Sequence, residues 1–286
     1  MFEIFCLIVA LIGSSVASFY DLKTTEIPDE IPYSMIAFAL VAYALKSLIS
    51  WNFYPILNSI LIGLGFLGFG FLMYYAGQWG GGDAKLLAAI GFLLPDLPKE
   101  IYNSITPFPL SYFFNLFLVG AAYMLIYAIV LAFIKRNIVK NFFEDLKASS
   151  KIFAFGVPSL FSLFLFLHFL LSLYFKVKFD FMSSVKYSLI PLVFSIIVLI
   201  IWKFAKNVEE HGFKQKIPVS KLKVGDVLEE SKLWEGLTER EVRKIKRSGR
   251  KYVVIKEGVR FAPAFPLALI FSLISGDFIL TILNLV

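Results

Sequence analysis

Two aspartates are the residues of this chain whose type and position suit catalysis. Asp83 follows the triplet Gly80–Gly82, and a hydrophobic run over residues 56–76, long enough to cross a bilayer, precedes it. Asp21 stands where the first apolar run of the chain ends. Ionisable side chains at a membrane boundary are costly to keep there and are functional candidates by default. The two aspartates are therefore the first place to look for chemistry.

A pair of carboxylates can divide acid and base work. At a separation of about 5 Å and an effective dielectric near 20, two such charges repel by on the order of 3 kcal/mol, or about two pK units. Near neutral pH the pair then holds one proton between its members. One carboxylate can take a proton from water while the other donates to a peptide carbonyl. Asp21 and Asp83 thus suit hydrolysis by activated water, without a covalent intermediate.

The residues around Asp83 fit this role. Gly80 and Gly82 let backbone and substrate approach closely and permit positive φ where the chain turns into the next helix. Lys85 follows Asp83 by two residues and suits either tuning of the pair or a lipid phosphate, although an exposed interfacial lysine is the simpler interpretation. An aspartate at a helix start is also often only a cap. A partner carboxylate near Asp83 would favour the catalytic role over the cap.

The elements that must position these residues are membrane helices. With 58% hydrophobic and 17% aromatic residues among 286, the chain has too much apolar surface for a soluble domain. We predict an all-α polytopic membrane protein with about eight transmembrane helices. The apolar runs cover residues 2–20, 34–49, 56–76, 84–94, 112–134, 152–175, 187–205 and 265–286.

Four regions follow from these runs. Residues 1–134 form a membrane core with both aspartates, and residues 135–205 an additional transmembrane hairpin with a basic loop. Residues 206–262 form a small basic α+β insert, and residues 263–286 a C-terminal transmembrane helix. Within the insert we predict a helix over 237–245, capped by Thr238 with Glu241 in the capping-box position, and a strand over 251–256.

The basic residues indicate orientation. The net charge is +7, and 16 of the 28 Lys and Arg lie between Lys203 and Arg260. Such clusters between apolar runs are typical of cytoplasmic loops that face anionic lipid, so we expect membrane lipid and not nucleic acid as a partner. With eight spans, both aspartates lie on the cytoplasmic side and both termini outside. One Cys and two distant His argue against a zinc or iron–sulfur site, and we expect no metal or cofactor.

The motifs resemble a known family. The stretch Gly80–Lys85, which reads Gly-Gly-Gly-Asp-Ala-Lys, together with the upstream Asp21 and the run Ile27-Pro28-Asp29, is similar to the GxGD aspartic peptidases that process type IV prepilins and archaeal preflagellins. Residues 217–226 and 257–268 resemble the C-terminal region of archaeal members. The resemblance covers roughly residues 2–134 and 217–286.

The resemblance implies a GxGD aspartic protease core with Asp21 and Asp83 as the catalytic aspartates. It implies cleavage at the cytoplasmic face of the cell membrane, after the short basic leader of a prepilin-like or archaellin precursor. Glu26, Asp29 and Glu30 are acidic and we expect them to attract such a leader. Many bacterial relatives carry cysteine pairs and also methylate the new N-terminus; this chain has no such cysteines, so we expect peptidase activity alone.

Two alternatives stay open. An intramembrane protease resembling presenilin and signal peptide peptidase is loosely echoed by Tyr20-Asp21 and Pro263-Ala264. The pair Ile27-Pro28 and the position of Asp83 at a helix start favour the prepilin interpretation. An ion-coupled transporter that uses the two aspartates as proton or cation ligands predicts inverted repeats, which the segment lengths do not show.

Overall fold

The computed structural model of the protein describes residues 2–276 and residue 278. Within these residues the chain forms ten α-helices and three short strands. The helices are α1 (Phe2–Thr24), α2 (Glu30–Ser50), α3 (Tyr54–Tyr75), α4 (Gly81–Leu93), α5 (Phe108–Ile134), α6 (Arg136–Ala148), α7 (Ser150–Tyr174), α8 (Phe181–Val208), α9 (Glu239–Arg247) and α10 (Ala264–Ser275). The strands are β1 (Lys214–Pro218), β2 (Val227–Leu228) and β3 (Tyr252–Lys256). The predicted helical architecture with a small insert before the last helix is confirmed.

Six of the described helices are long and apolar enough to cross a membrane: α1, α2, α3, α5, α7 and α8. Helix α4 has 13 residues and rises about 20 Å, which is shorter than a hydrocarbon core of roughly 30 Å. The last predicted run is described as far as Ser275, and Asp277 and residues 279–286 lie outside the described residues. The chain is thus a polytopic helical membrane protein, and six of the eight predicted runs meet the length of a full span within the described part.

Helix α1 continues past the end of its apolar run. It was expected to end at Tyr20 but extends to Thr24, whose hydroxyl donates to the Tyr20 carbonyl at 2.8 Å. Thr25 then takes a left-handed conformation, with φ of 60°, and ends the helix. Asp21 therefore lies inside the last helical turn, where the backbone is fixed, and not in the loop that follows.

Helix α4 is the central helix of a bundle unit, which comprises the described residues up to Ile126 and from Lys214 onward. Ala84 and all residues from 86 to 93 are buried. The neighbours of α4 in this unit include α1, α2 and α3. A helix that is apolar on every side needs partners all round, and these three helices provide them.

Helices α3 and α4 run antiparallel and touch closely. The Ser59 hydroxyl near the start of α3 donates to the Phe92 carbonyl near the end of α4 at 2.6 Å. At the other end, a Cβ on Gly70 would lie 2.8 Å from the Cα of Ala84. The first turn of α4, which carries Asp83, consequently lies beside the C-terminal end of α3.

Two of the four glycines of α3 take part in this contact. Gly63 and Gly70 are two helical turns apart and face α4. A Cβ on Gly65 or Gly68 would meet no described atom within 4 Å, because both lie on the opposite face of the helix.

Residues 214–262 form an α+β module. The sequence predicted this module over 206–262, whereas α8 continues to Val208 and Glu209–Phe213 form a π-helical turn. The antiparallel sheet of the module has the order β1-β3-β2. The capping box of α9 is present, since the Glu241 carboxylate accepts the Thr238 backbone N–H at 2.8 Å. The buried core of the module is Val219, Leu222, Val242 and Val253. Both the capped helix and the strand over 251–256 are confirmed to within a residue or two.

A second unit, the hairpin unit, covers Tyr127–Phe213. Helices α7 and α8 are the predicted transmembrane hairpin. Helix α6 lies in the segment that was expected to be a basic loop. Its Ile138 is fully buried against the ends of α5 and α8, and Phe142 packs edge-on against Phe204 at 5.5 Å between ring centroids. Helix α6 was not predicted because charged and polar residues are interspersed among its apolar residues, which recur at helical spacing along one face.

Candidate active site

Asp21 is held in the interior of the bundle unit. The residue is 5% exposed. Its Oδ2 accepts a hydrogen bond from the backbone N–H of Ala262 at 2.9 Å. A backbone N–H directed at a carboxylate oxygen fixes its orientation and stabilises negative charge on it. The sequence placed Asp21 correctly at the end of the first apolar run but gave no sign of this partner.

Asp83 lies in the first turn of α4, as predicted, outside the six candidate spans. Its Oδ2 accepts the Gly80 backbone N–H at 3.1 Å, so Asp83 does cap the helix. Removal from water raises the pKa of Asp83 from 3.8 to about 7; the negative charge of Asp21 adds to the rise and the Gly80 hydrogen bond opposes it. Asp83 therefore both caps helix α4 and interacts electrostatically with Asp21.

Asp21 and Asp83 line one cavity of about 720 Å³, which we call the aspartate cavity. Its walls come from the α1–α2 connection, from the glycine loop Gly80–Gly82 and from the α+β module. The charged residues in these walls are Asp21, Glu26, Asp83, Asp226, Glu257 and Lys256. Five acids against one base make the lining strongly acidic, although the whole chain carries a positive net charge.

Gly82 marks the close approach between the glycine loop and the α1–α2 connection. A Cβ on Gly82 would lie 2.9 Å from the Cβ of Ile27, whereas a Cβ on Gly81 would have its nearest neighbour at 3.9 Å. The expectation of close approach thus holds at Gly82. The expectation of positive φ in this loop was wrong: the nearest glycine with positive φ is Gly77, at 72°.

Lys85 points to the α1–α2 connection. Its Nζ lies 2.6 and 2.7 Å from the two carboxylate oxygens of Asp29 and 5.5 Å from the centre of the Tyr33 ring. Of the three acids expected to bind a leader, Asp29 is therefore engaged by Lys85. Glu26 lines the aspartate cavity, and Glu30 is exposed outside its lining.

The segment Arg260–Ala262 completes the surroundings of Asp21. The Tyr123 hydroxyl of α5 donates to the Arg260 carbonyl at 2.9 Å. The Phe261 ring packs against Trp79 at 5.7 Å between centroids, and a Cβ on Gly120 would lie 2.9 Å from it. The signal for this segment was its resemblance to the C-terminal region of archaeal members, but nothing local in the sequence linked it to Asp21.

These contacts give the two carboxylates different environments. Each carboxylate accepts one backbone N–H, Asp21 from Ala262 and Asp83 from Gly80, and burial raises the pKa of Asp83 to about 7. Acid and base roles separate in this way when the environments of two titratable groups differ. Among the described residues, no group of three or more His, Cys, Asp and Glu is arranged to hold a metal ion.

A known family matches this part of the chain in sequence. Residues 8–135 match the model of the type IV leader peptidase family, and both aspartates fall within the match. Residues 8–135 are thus similar to that family. We call residues 8–135 the leader peptidase region, which includes most of α1 and all of α2 to α5. The module that lines the aspartate cavity and contacts Asp21 lies outside this region.

Three curated proteins similar to this chain are archaeal. A prepilin peptidase of Methanothermobacter thermautotrophicus is 25% identical over 156 residues, which cover 51% of this chain and 40% of that protein. A preflagellin peptidase of Methanococcus voltae is 33% identical over 134 residues, 44% of this chain and 55% of that protein. A preflagellin peptidase of Methanocaldococcus jannaschii is 38% identical over 96 residues, 34% of this chain and 41% of that protein. The aligned segments thus span about half the length of these relatives.

Proposed function

We propose that this chain is a membrane-embedded aspartic endopeptidase that removes the short basic leader of prepilin-like or archaellin precursors. The observation that carries the proposal is the shared cavity of Asp21 and Asp83, in which the charge of Asp21 helps to raise the pKa of Asp83 to about 7. The names of the curated relatives, prepilin and preflagellin peptidase, support the same substrate class.

The two environments suggest which aspartate does which work. Asp21, with the Ala262 N–H on its Oδ2, acts as the base that takes a proton from the attacking water. Asp83, whose pKa near 7 keeps it partly protonated, donates a proton to the carbonyl oxygen of the scissile bond. No covalent intermediate forms. Gly82 lets the α1–α2 connection pack closely against the glycine loop, which brings together the segments that carry the two aspartates.

The acidic lining of the aspartate cavity suits a cationic leader. Glu26 comes from the α1–α2 connection, and Asp226 and Glu257 come from the module. Charge of one sign in a cleft raises the local concentration of a ligand of the other sign. We therefore assign leader recognition to Glu26, together with Asp226 and Glu257, which the sequence had not suggested.

The proposed location is the cell membrane, with the aspartate cavity open to the cytoplasm. The module shares a cavity with Asp21 and Asp83, so the three occupy one end of the bundle unit. The module is also the segment richest in Lys and Arg. Segments of this kind stay on the cytoplasmic side under the positive-inside rule.

The test is cleavage of a defined precursor by the full chain in lipid vesicles. The substrate carries a short basic leader before an apolar helix, and mass spectrometry locates the cut. We expect one cut before the apolar helix, abolished by Asp21→Asn and by Asp83→Asn. The matched control is Asp96→Asn, which changes an exposed carboxylate beyond the C-terminal end of α4.

Each alternative has its own result in this test. Full activity in either active-site Asn variant would contradict the aspartate mechanism. Cuts inside the apolar helix would favour an intramembrane protease of the presenilin type. Proton-coupled uptake without cleavage, lost in both variants, would favour an ion-coupled transporter.

A further inference from the structure

Lys85 and Asp29 join the two chain segments that carry the aspartates. Asp29 lies eight residues after Asp21 and directly precedes α2, while Lys85 follows Asp83 by two residues on α4. Both carboxylate oxygens of Asp29 are within 2.7 Å of Lys85 Nζ. The ammonium group thus bridges both carboxylate oxygens at the short distances of charge-assisted hydrogen bonds.

A second contact acts at the same junction. The side chain of Ile27 lies so close to Gly82 that a methyl group there would overlap it. Ile27 and Asp29 therefore fasten the α1–α2 connection to the first turn of α4 at two points. Asp21 and Asp83 stand on the two sides of this junction, so its geometry sets how they face each other.

Neither Lys85 nor Asp29 lines the aspartate cavity. A substrate in that cavity meets Asp21, Asp83 and Glu26 and not this ion pair. The side chains of Lys85 and Asp29 are 24% and 53% exposed, so solvent screens the pair and its contribution to the free energy of unfolding is small. Its effect lies in the geometry of the junction.

We infer that Lys85 is a positioning residue, which holds the α1–α2 connection against α4 through Asp29 and thereby sets the spacing of Asp21 and Asp83. It does not contact substrate. The activity part of this inference rests on the proposed function. A displacement of about 1 Å in a catalytic group can cost on the order of a hundredfold in rate, so a weak ion pair in this place has a large kinetic effect.

The first test is kinetic. Lys85→Met and Asp29→Asn should each lower kcat for precursor cleavage about tenfold to a hundredfold and leave KM within about twofold. Lys85→Arg keeps the charge and should keep most of the activity. The exchanged pair Lys85→Glu with Asp29→Lys should recover a substantial part of the loss.

Matched controls test whether the effect comes from the Lys85–Asp29 contact or from the loss of any charged side chain. Glu100→Gln removes an exposed carboxylate of the connection between α4 and α5, to which no role in cleavage is assigned. Lys46→Met breaks the ion pair of Lys46 with Glu3, which joins α2 to α1 away from the aspartates. Both variants should cleave at the wild-type rate.

The second test does not need activity. Spin labels on Lys23→Cys and Gln78→Cys, both exposed, report the distance between the end of α1 and the loop before α4. The native Cys6 is buried and stays unlabelled. We expect one narrow distance distribution in the parent, a broad one after Lys85→Met or Asp29→Asn, and a narrow one after Lys85→Arg.

The two tests fail in distinguishable ways. If the wild type cleaves no precursor, the proposed function fails, and the distance distributions still test the ion pair. An unchanged distribution in Lys85→Met would overturn the positioning role. A loss of kcat that the exchanged pair does not reduce, with unchanged distances, would mean that Lys85 acts directly on substrate or on the aspartates.

Discussion

Oδ2 of Asp21 accepts the backbone N–H of Ala262, a residue 241 positions later in the chain. Ala262 precedes α10 and lies outside residues 8–135, which match the leader peptidase family. The environment of the first aspartate therefore depends on a segment that the family match does not contain.

The Tyr123 hydroxyl holds the segment Arg260–Ala262, and deleting its single oxygen atom removes this contact. Tyr123→Phe deletes the hydroxyl that donates to the Arg260 carbonyl and keeps the ring. Because a lost neutral hydrogen bond is worth about 1 kcal/mol, precursor cleavage should fall roughly fivefold. Tyr75→Phe, at an exposed ring on α3, is the control. Equal cleavage by wild type and Tyr123→Phe would show that the Tyr123 contact has no part in catalysis.

The two neighbouring glycines of the loop should respond differently to alanine. Gly82→Ala places a methyl group about where Ile27 lies and should separate the loop from the α1–α2 connection, with a loss of cleavage of roughly tenfold or more. Gly81→Ala meets no such obstacle and should cleave normally. Both changes favour a helical first turn equally. Similar activities in the two variants would contradict the close-approach argument.

The raised pKa of Asp83 predicts an unusual pH dependence of precursor cleavage. With a pKa of about 7, Asp83 loses its proton as the pH rises through neutrality, so kcat should fall on the alkaline side with a midpoint near 7. The folded pKa exceeds the unfolded value of 3.8, so the stability that the protonated group contributes is complete below about pH 4 and lost as the pH rises through 7. Asp83→Asn should accordingly raise Tm at pH 8 and change it little at pH 4. An equal effect at both values would contradict the raised pKa.

The cytoplasmic orientation can be tested with single cysteines. Cys6 is buried, so an impermeant maleimide should report only an introduced thiol. In intact cells Asp96→Cys should react and Ser248→Cys, in the module, should not. In inverted vesicles the reactivities should be reversed. The opposite pattern would place the aspartate cavity on the outer face.

The proposed leader recognition predicts different effects on KM for substitutions at Glu26 and at Glu30. Glu26→Gln removes a charge from the lining of the aspartate cavity and should raise KM for a basic-leader precursor several-fold, with kcat almost unchanged. The effect should shrink at 0.5 M salt because screening shortens the range of the attraction. Glu30→Gln should leave KM unchanged. An equal change of KM in both variants would indicate general surface charge instead of a site.

The sequence by itself determined the features that depend on neighbouring residues. Hydrophobic runs identified the membrane helices because burial in lipid requires consecutive apolar residues. The Thr238–Glu241 cap followed from a local hydrogen-bonding pattern. Asp83 at the start of α4 followed from the order of glycines, charge and apolar residues. Helix α6 was missed because its charges concealed a short apolar stripe, which is buried only against α5 and α8.

The tertiary structure alone decided the partners of these residues. Asp21 meets Ala262, and Lys85 meets Asp29, across 241 and 56 residues of chain. The acidic wall from Asp226 and Glu257 also depends on where the module packs. No propensity or local pattern encodes such pairings, because they result from the packing of whole elements whose separate hydrophobic faces allow many arrangements.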